Sequence, residues 1–138
     1  NVAIVGGGPG GCDLADFRIA GGKKVTLIEM RRVFGLGLVA HPRYHVCERL
    51  KKMGAQLYVN TKVSEIGRDY IVISRRREAD QKLEGFTTIV IPTLHQPNGA
   101  LAASIQSFVP DVYTVGDAAE GRTALEAIAE GVEIGMKI

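Results

Sequence analysis

The chain has 138 residues, room for one domain with a genuine core, and its 46% hydrophobic and 23% charged content is ordinary for a globular protein. With 17 basic against 15 acidic residues the net charge is +2, which excludes a global electrostatic attraction to nucleic acid or to a membrane surface. No apolar run approaches the roughly 18–20 residues of a membrane span and no leader is visible before the first apolar run, so the expected location is the cytoplasm.

In chain order, Val2 to Val5 is a strand-like apolar run that ends in a cluster of glycines, "GGGPGG". A short helix, Cys12 to Ala20, is closed by Gly21 and Gly22, and Val25 to Ile28 follows as a second strand. Together these make a βαβ unit. A second helix, Pro42 to Met53, carries Val46, Leu50 and Met53 at helical spacing, with Lys51 and Lys52 at its C-terminal end and Gly54 just beyond. Gln56 to Val59 reads as the next strand. The stretch "VSEIGRDYIVISRRR" then sets a Gly-Arg-Asp turn between two β-rich segments, an antiparallel hairpin or meander. Arg75 to Glu84 is charged and weakly patterned, a solvated turn between strands. Thr87 to Ile91 and Val112 to Val115 are two further apolar runs, and the Ala, Leu and Ile positions of "GDAAEGRTALEAIAEGVEIGMKI" suit a final helix. All five apolar runs look buried on both faces, as parallel strands are, so the expected class is α/β.

Metal and thiol chemistry find little support in the residues. Cys12 and Cys47 form no C-x-x-C pair and read as buried thiols. His41 and His45 are four residues apart, but no acid stands between them as in H-E-x-x-H, and Pro42 suggests that the helix begins only there. His95 has no companion ligand, and no metal site is expected.

The glycine cluster carries more. Gly6, Gly8 and Gly11 match G-x-G-x-x-G, placed after a strand and before a helix within a βαβ unit. The first glycine permits the tight turn, the second removes a side chain where a pyrophosphate must approach the backbone, and the third lets helix and strand pack closely. N–H groups of the helix's first turn, around Gly10 and Gly11, would face the phosphate, and Pro9 suits a position whose N–H is not needed. Glu29 ends the second strand 18 residues after Gly11, about where an acid meets the adenosine ribose. A carboxylate there accepts bonds from ribose hydroxyls and repels a 2′-phosphate, which favours NAD(H). Next come Met30, Arg31 and Arg32, and the two guanidinium groups leave NADP(H) open. The expected fold is Rossmann-like: a parallel sheet with flanking helices and an antiparallel β-hairpin or meander insert.

Three stretches, "NVAIVGGGPGGCDLADFRIAGGKKVTLIEM", "ERLKKMGAQLYVNTKVSEI" and "VPDVYTVGDAAEGRTALEAIAEGVEIGMKI", resemble the C-terminal pyridine-nucleotide region of NADH:flavin oxidoreductases related to old yellow enzyme. That family includes 2,4-dienoyl-CoA reductase, enoate reductases and trimethylamine dehydrogenase. The resemblance implies a parent in which a barrel bearing FMN and an iron–sulfur cluster precedes a region binding NAD(P)H and FAD, or only ADP in the trimethylamine dehydrogenase type. FMN and the cluster would lie outside this chain. By the same resemblance residues 1–107 form the NAD(P)-binding part, and residues 108–138 are the returning segment of the flavin half-domain, packed with it as one unit. Gly116 and Asp117 would then face the FAD of the intact parent, although Asp117 could also cap the following helix. Glu120 and Arg122 match an "EPR"-like element in which Gly121 replaces proline. The segment "TTIVIPTLHQPN" departs from the family's "DTVVLALGLRPN", with Pro92 in the strand end and Leu94 where a glycine passes the flavin.

The resemblance implies a dinucleotide-binding module that presents NAD(P)H for hydride transfer to FAD, with onward reduction of an activated alkene in absent domains. The expected partners are an adenine dinucleotide and the parent's other domains. No residue of the chain is expected to be a catalytic acid, base or nucleophile, because the cofactors carry the chemistry. The alternative is a non-catalytic module whose ADP or NAD is structural. An independent NAD-dependent dehydrogenase is disfavoured, since no substrate domain or proton-transfer residue is identifiable.

Overall fold

The computed structural model describes residues 1–92 and 96–138; Leu94 and His95 therefore lie outside the described residues. The chain divides into two compact units, Asn1–Pro92 and Thr93–Ile138.

The first unit is built on four parallel strands in the order β3-β2-β1-β7, with β1 at Val2–Val5, β2 at Val25–Ile28, β3 at Gln56–Tyr58 and β7 at Thr88–Val90. In register, Ile4 lies beside Leu27 on one side and beside Val90 on the other. Alternation along the strands sends side chains to two separate cores. Val2, Ile4, Val25 and Leu27 pack with Cys12, Ala15 and Ile19 of α1 (Pro9–Ala20) and with Leu50 of α2 (Ala40–Lys52). On the opposite face, Ala3 and Ile28 pack with Ile71, Ile73 and Phe86. Both helices thus cover one face of the sheet.

An antiparallel meander of β4 (Thr61–Ile66), β5 (Tyr70–Arg75) and β6 (Gln81–Glu84) covers the other face. Each fully buried Ile or Leu contributes about 1.5–3 kcal/mol by leaving water. Ile4, Leu27, Leu50 and Ile71 all reach 0% exposure, so they anchor the three layers.

Several elements differ from their sequence-based expectation. Strands β3 and β7 are half-exposed rather than buried on both faces, because they form the two edges of the sheet. Residues 81–84, expected within a solvated turn, form β6, since Leu83 turns inward against the Ile71, Ile73 and Phe86 cluster. Helix α2 begins at Ala40, before Pro42, which sits within the first turn, where a missing N–H costs no hydrogen bond.

The second unit holds α3 (Ala100–Ile105), a 3₁₀ turn at Gly116–Ala118 and α4 (Ala124–Gly135). Val112 to Val115 does not form the expected strand. A strand exists through its ladder, and no described segment pairs with these residues. Among the described residues no helix is long and apolar enough to cross a membrane.

Candidate dinucleotide-binding site

The glycine turn joins the C-terminal end of β1 to α1, at the edge where parallel strands of such folds bind ligands. Its glycines face different constraints. Gly6 has φ +128°, a conformation that side-chain-bearing residues rarely adopt, and Pro92 at the end of β7 lies against it, with Cγ 3.6 Å from where a Cβ would stand. At Gly11 a Cβ would overlap the Gly6 carbonyl oxygen, so helix and strand meet there backbone to backbone. Gly8 and Gly10 are the opposite case: among the described residues a Cβ on either would meet nothing within 4 Å. Their missing side chains leave free space in front of the helix.

Helix α1 starts without a cap of its own. Gly8 is the N-cap residue, no side chain caps the helix, Pro9 occupies its first turn, and that turn contains no acidic residue. Gly10 and Gly11 therefore present N–H groups that have no partner within the helix, at the positive end of its dipole. Such a start accepts an anion.

Glu29 follows the last residue of β2 and is only 8% exposed. Its Oε2 accepts the Gly7 N–H at 2.7 Å, and its Oε1 accepts the Arg31 N–H at 2.8 Å. Its own N–H donates to the Tyr58 carbonyl at 2.8 Å, tying it to the end of β3. Carboxylate oxygens carry two acceptor sites each, so a ribose hydroxyl can still be received. Met30 is 70% exposed, and Arg31 and Arg32 are exposed beside it. The structure thus brings Gly6, Gly8, Pro9, Gly10, Gly11, Glu29, Met30 and Arg31 to one end of the sheet.

Gly7, Phe34 and Gly35 also belong to this end and are not singled out by the sequence pattern. The Gly35 N–H donates to the Gly7 carbonyl at 2.6 Å, and the buried Phe34 ring lies where a Gly7 side chain would go. Only the glycine at the second motif position hints at this, because G-x-G-x-x-G leaves that position free. Cys12 is buried below the turn, with its thiol 3.4 Å from the Gly7 carbonyl. Burial, chiefly, pushes that thiol's pKa up to about 11, so it remains a protonated donor at neutral pH. Cys47 is half-buried rather than fully buried, and both cysteines are free. His41 and His45 share the exposed start of α2, with Nε2 atoms 3.2 Å apart.

In the second unit, Gly116 is buried at φ +62°, and its N–H donates to Glu130 Oε2 at 2.7 Å. Glu130 also pairs with Arg122, so these two α4-associated charges hold the turn. Asp117 is exposed in the 3₁₀ turn and does not cap α4. That role falls to Thr123, whose Oγ1 accepts the Leu125 N–H at 3.3 Å while Glu126 accepts the Thr123 N–H at 3.0 Å. The expected order of strand, Gly-Asp and helix cap is therefore corrected at both ends: among the described residues nothing pairs with the segment before Gly116, and Thr123 does the capping.

Comparison with known proteins fits this geometry. A family described as pyridine nucleotide-disulphide oxidoreductase matches residues 1–74, the βαβ unit, α2 and the start of the meander. An NADH oxidase from Thermoanaerobacter brockii is 24% identical over 139 aligned positions, covering 99% of this chain and 21% of that protein. A 2-naphthoyl-CoA reductase, solved as a complex with 2-naphthoyl-CoA, superimposes with a TM-score of 0.86 at 25% identity, over 99% of this chain and 21% of that one. Histamine dehydrogenase from Rhizobium sp. 4-9 shares the fold, with a TM-score of 0.84 at 17% identity over 99% of this chain and 23% of that one. The chain thus spans about a fifth of the length of these relatives. With residues 1–74 matched, the uncapped glycine-to-helix turn among them, the chain belongs to the pyridine nucleotide-disulphide oxidoreductase family.

Proposed function

We propose that the chain is the pyridine-dinucleotide-binding module of a larger flavin-dependent oxidoreductase, and that NAD(H) is its preferred ligand. One observation carries this reading: the uncapped start of α1, where a Cβ at Gly8 or Gly10 would meet none of the described residues within 4 Å, lies at the same sheet end as the inward-held Glu29 carboxylate. A dinucleotide pyrophosphate matches the helix start, and an adenosine ribose matches the carboxylate. The module would bind and orient the dinucleotide, while hydride chemistry belongs to the cofactors. The name of one relative, an NADH oxidase, supports a parent that uses NADH, and we extend that reading, on the sequence resemblance alone, to a flavin-dependent parent that reduces an activated alkene. In that parent FAD would receive the hydride, with FMN and an iron–sulfur cluster in domains outside this chain. Residues 1–107 would hold the dinucleotide, and residues 108–138 would return from the flavin half-domain with Gly116 and Asp117 toward FAD.

A second reading, a structural ADP- or NAD-binding module, is favoured by α4. Its first turn is already satisfied by Thr123 and Glu126, which leaves less for a flavin pyrophosphate to bind. The absorbance spectrum of the purified parent separates the two. Bound flavin that bleaches on adding NADH supports electron transfer, whereas retained ADP without FAD contradicts it. For the site itself, Gly8→Val should abolish NADH binding in calorimetry while the domain stays folded, since among the described residues a Cβ there meets nothing within 4 Å. Unchanged affinity would misplace the phosphate.

A further inference from the structure

Gly7 occupies the free second position of G-x-G-x-x-G, yet it is the most crowded glycine of the motif apart from Gly11. A Cβ at this position would overlap the Phe34 ring and come within 3.0 Å of Glu29 Cβ. Both of its main-chain polar groups are also engaged. The N–H donates to Glu29 Oε2 at 2.7 Å, and the carbonyl accepts from Gly35 N–H at 2.6 Å and from the Cys12 thiol at 3.4 Å. Phe34 is 8% exposed and packs in the same core as Ile4, Leu27 and Cys12, so it cannot move aside without disturbing that core.

We infer that Gly7 is a positioning residue for cofactor discrimination: wedged between Phe34 and Glu29, it locks the Glu29 carboxylate in the place where an adenosine ribose is read. This rests on the dinucleotide reading above and adds a cause to it. A carboxylate held at one oxygen by Gly7 N–H and at the other by Arg31 N–H cannot swing toward solvent to admit a 2′-phosphate. Arg31 and Arg32 are exposed two and three residues beyond this fixed negative charge, and a phosphate drawn to them would meet its repulsion. Discrimination against the 2′-phosphorylated nucleotide thereby depends on a residue that itself carries no side chain and no charge. Enlarging Gly7 drives the Phe34 ring and Glu29 Cβ apart, which breaks the 2.7 Å bond and frees the carboxylate.

The test uses ADP-ribose and its 2′-phosphate as calorimetric probes on the 138-residue chain, with the melting temperature followed in parallel. The unsubstituted chain should bind ADP-ribose at least tenfold more tightly than the 2′-phosphate. Gly7→Ala should cut that ratio at least fivefold, and adding Phe34→Ala should restore most of it by vacating the space the new methyl needs. If Gly7→Ala does not fold, the double variant decides alone: a folded double variant with most of the original ratio supports the lock, and one without it overturns the lock. Gly7→Ala with an unchanged ratio, or a double variant no better than Gly7→Ala, equally overturns it. Failure of the unsubstituted chain to bind either probe is a different result, because it removes the dinucleotide reading itself. A merely structural role for Gly7 would lower the melting temperature and both affinities together, leaving the ratio where it was.

Discussion

Helices α1 and α4 both follow a glycine-containing turn, yet their first turns are finished in opposite ways. At α1 the N-cap is Gly8, no side chain caps the helix and no acid stands in the first turn; at α4 Thr123 and Glu126 form a reciprocal capping box. The capped start satisfies itself and gains stability, about 1 kcal/mol for a typical cap. With glycine as its N-cap, the α1 start forgoes about a few tenths of a kcal/mol of that contribution and leaves its N–H groups without a partner in the helix. A helix whose first turn is built from Pro9, Gly10 and Gly11 is a poor design for stability alone, since glycine costs roughly 1 kcal/mol against alanine within a helix. The contrast is what supports reading the start of α1 as a ligand site.

Substitutions that interchange these properties test the comparison. The largest effect is expected at Gly11, where a side chain would overlap the Gly6 carbonyl: Gly11→Val should destabilise the chain by about 3 kcal/mol or more, read by denaturant unfolding. A loss below about 1 kcal/mol would mean that helix and strand do not meet as closely as described. Next comes Glu29→Ala, which should weaken NADH binding about tenfold, or roughly 1.4 kcal/mol, with a smaller loss for NADPH. Equal losses for both would count against Glu29 facing the ribose. Thr123→Ala should cost about 1 kcal/mol and leave NADH affinity unchanged, because it uncaps α4 and not α1.

The smallest effect is a pH dependence at the same cap. The Thr123 hydroxyl, donating to the Glu126 carboxylate, holds that group's pKa below its usual value of 4.5. A depressed folded pKa means that the unfolded chain binds the proton more readily, so this contribution is present above pH 4.5 and fades as the pH falls through the lower folded value. Glu126 is fully exposed, and the change should be a slight fraying of α4 in circular dichroism below that pH, absent in Glu126→Gln. Fraying that grows instead toward higher pH would reverse the assignment.

Much of the first unit is readable from local pattern. Val2–Val5 and Val25–Ile28 have the bounds expected of them, because polar, charged or glycine residues stand at the ends of each run, Asn1 and Gly6 for the first and Lys24 and Glu29 for the second. The helix between them begins at Pro9 rather than at Cys12, the position local pattern marks, since glycines that lower helix propensity are nevertheless drawn into its first turn. What local pattern does not carry is pairing. Val112 to Val115 has the composition of a strand, but a strand requires a neighbour at hydrogen-bonding distance, and composition says nothing of the neighbour. The same limit applies to Gly7: the motif leaves its position free, and only the arrival of Phe34 from 27 positions later in the chain makes glycine necessary there. Asp117 failed as a helix cap for a related reason, because a better capping box stands six residues further on, at Thr123 and Glu126.

The most direct measurement introduces at α1 the kind of residue that α4 already has. Gly8→Asp places a capping carboxylate at the uncapped start, where among the described residues a Cβ meets nothing within 4 Å. The account predicts a melting temperature equal to or slightly above that of the unsubstituted chain, by a few tenths of a kcal/mol in stability, together with loss of calorimetric NADH binding. NADH binding that survives in a folded Gly8→Asp chain would contradict it.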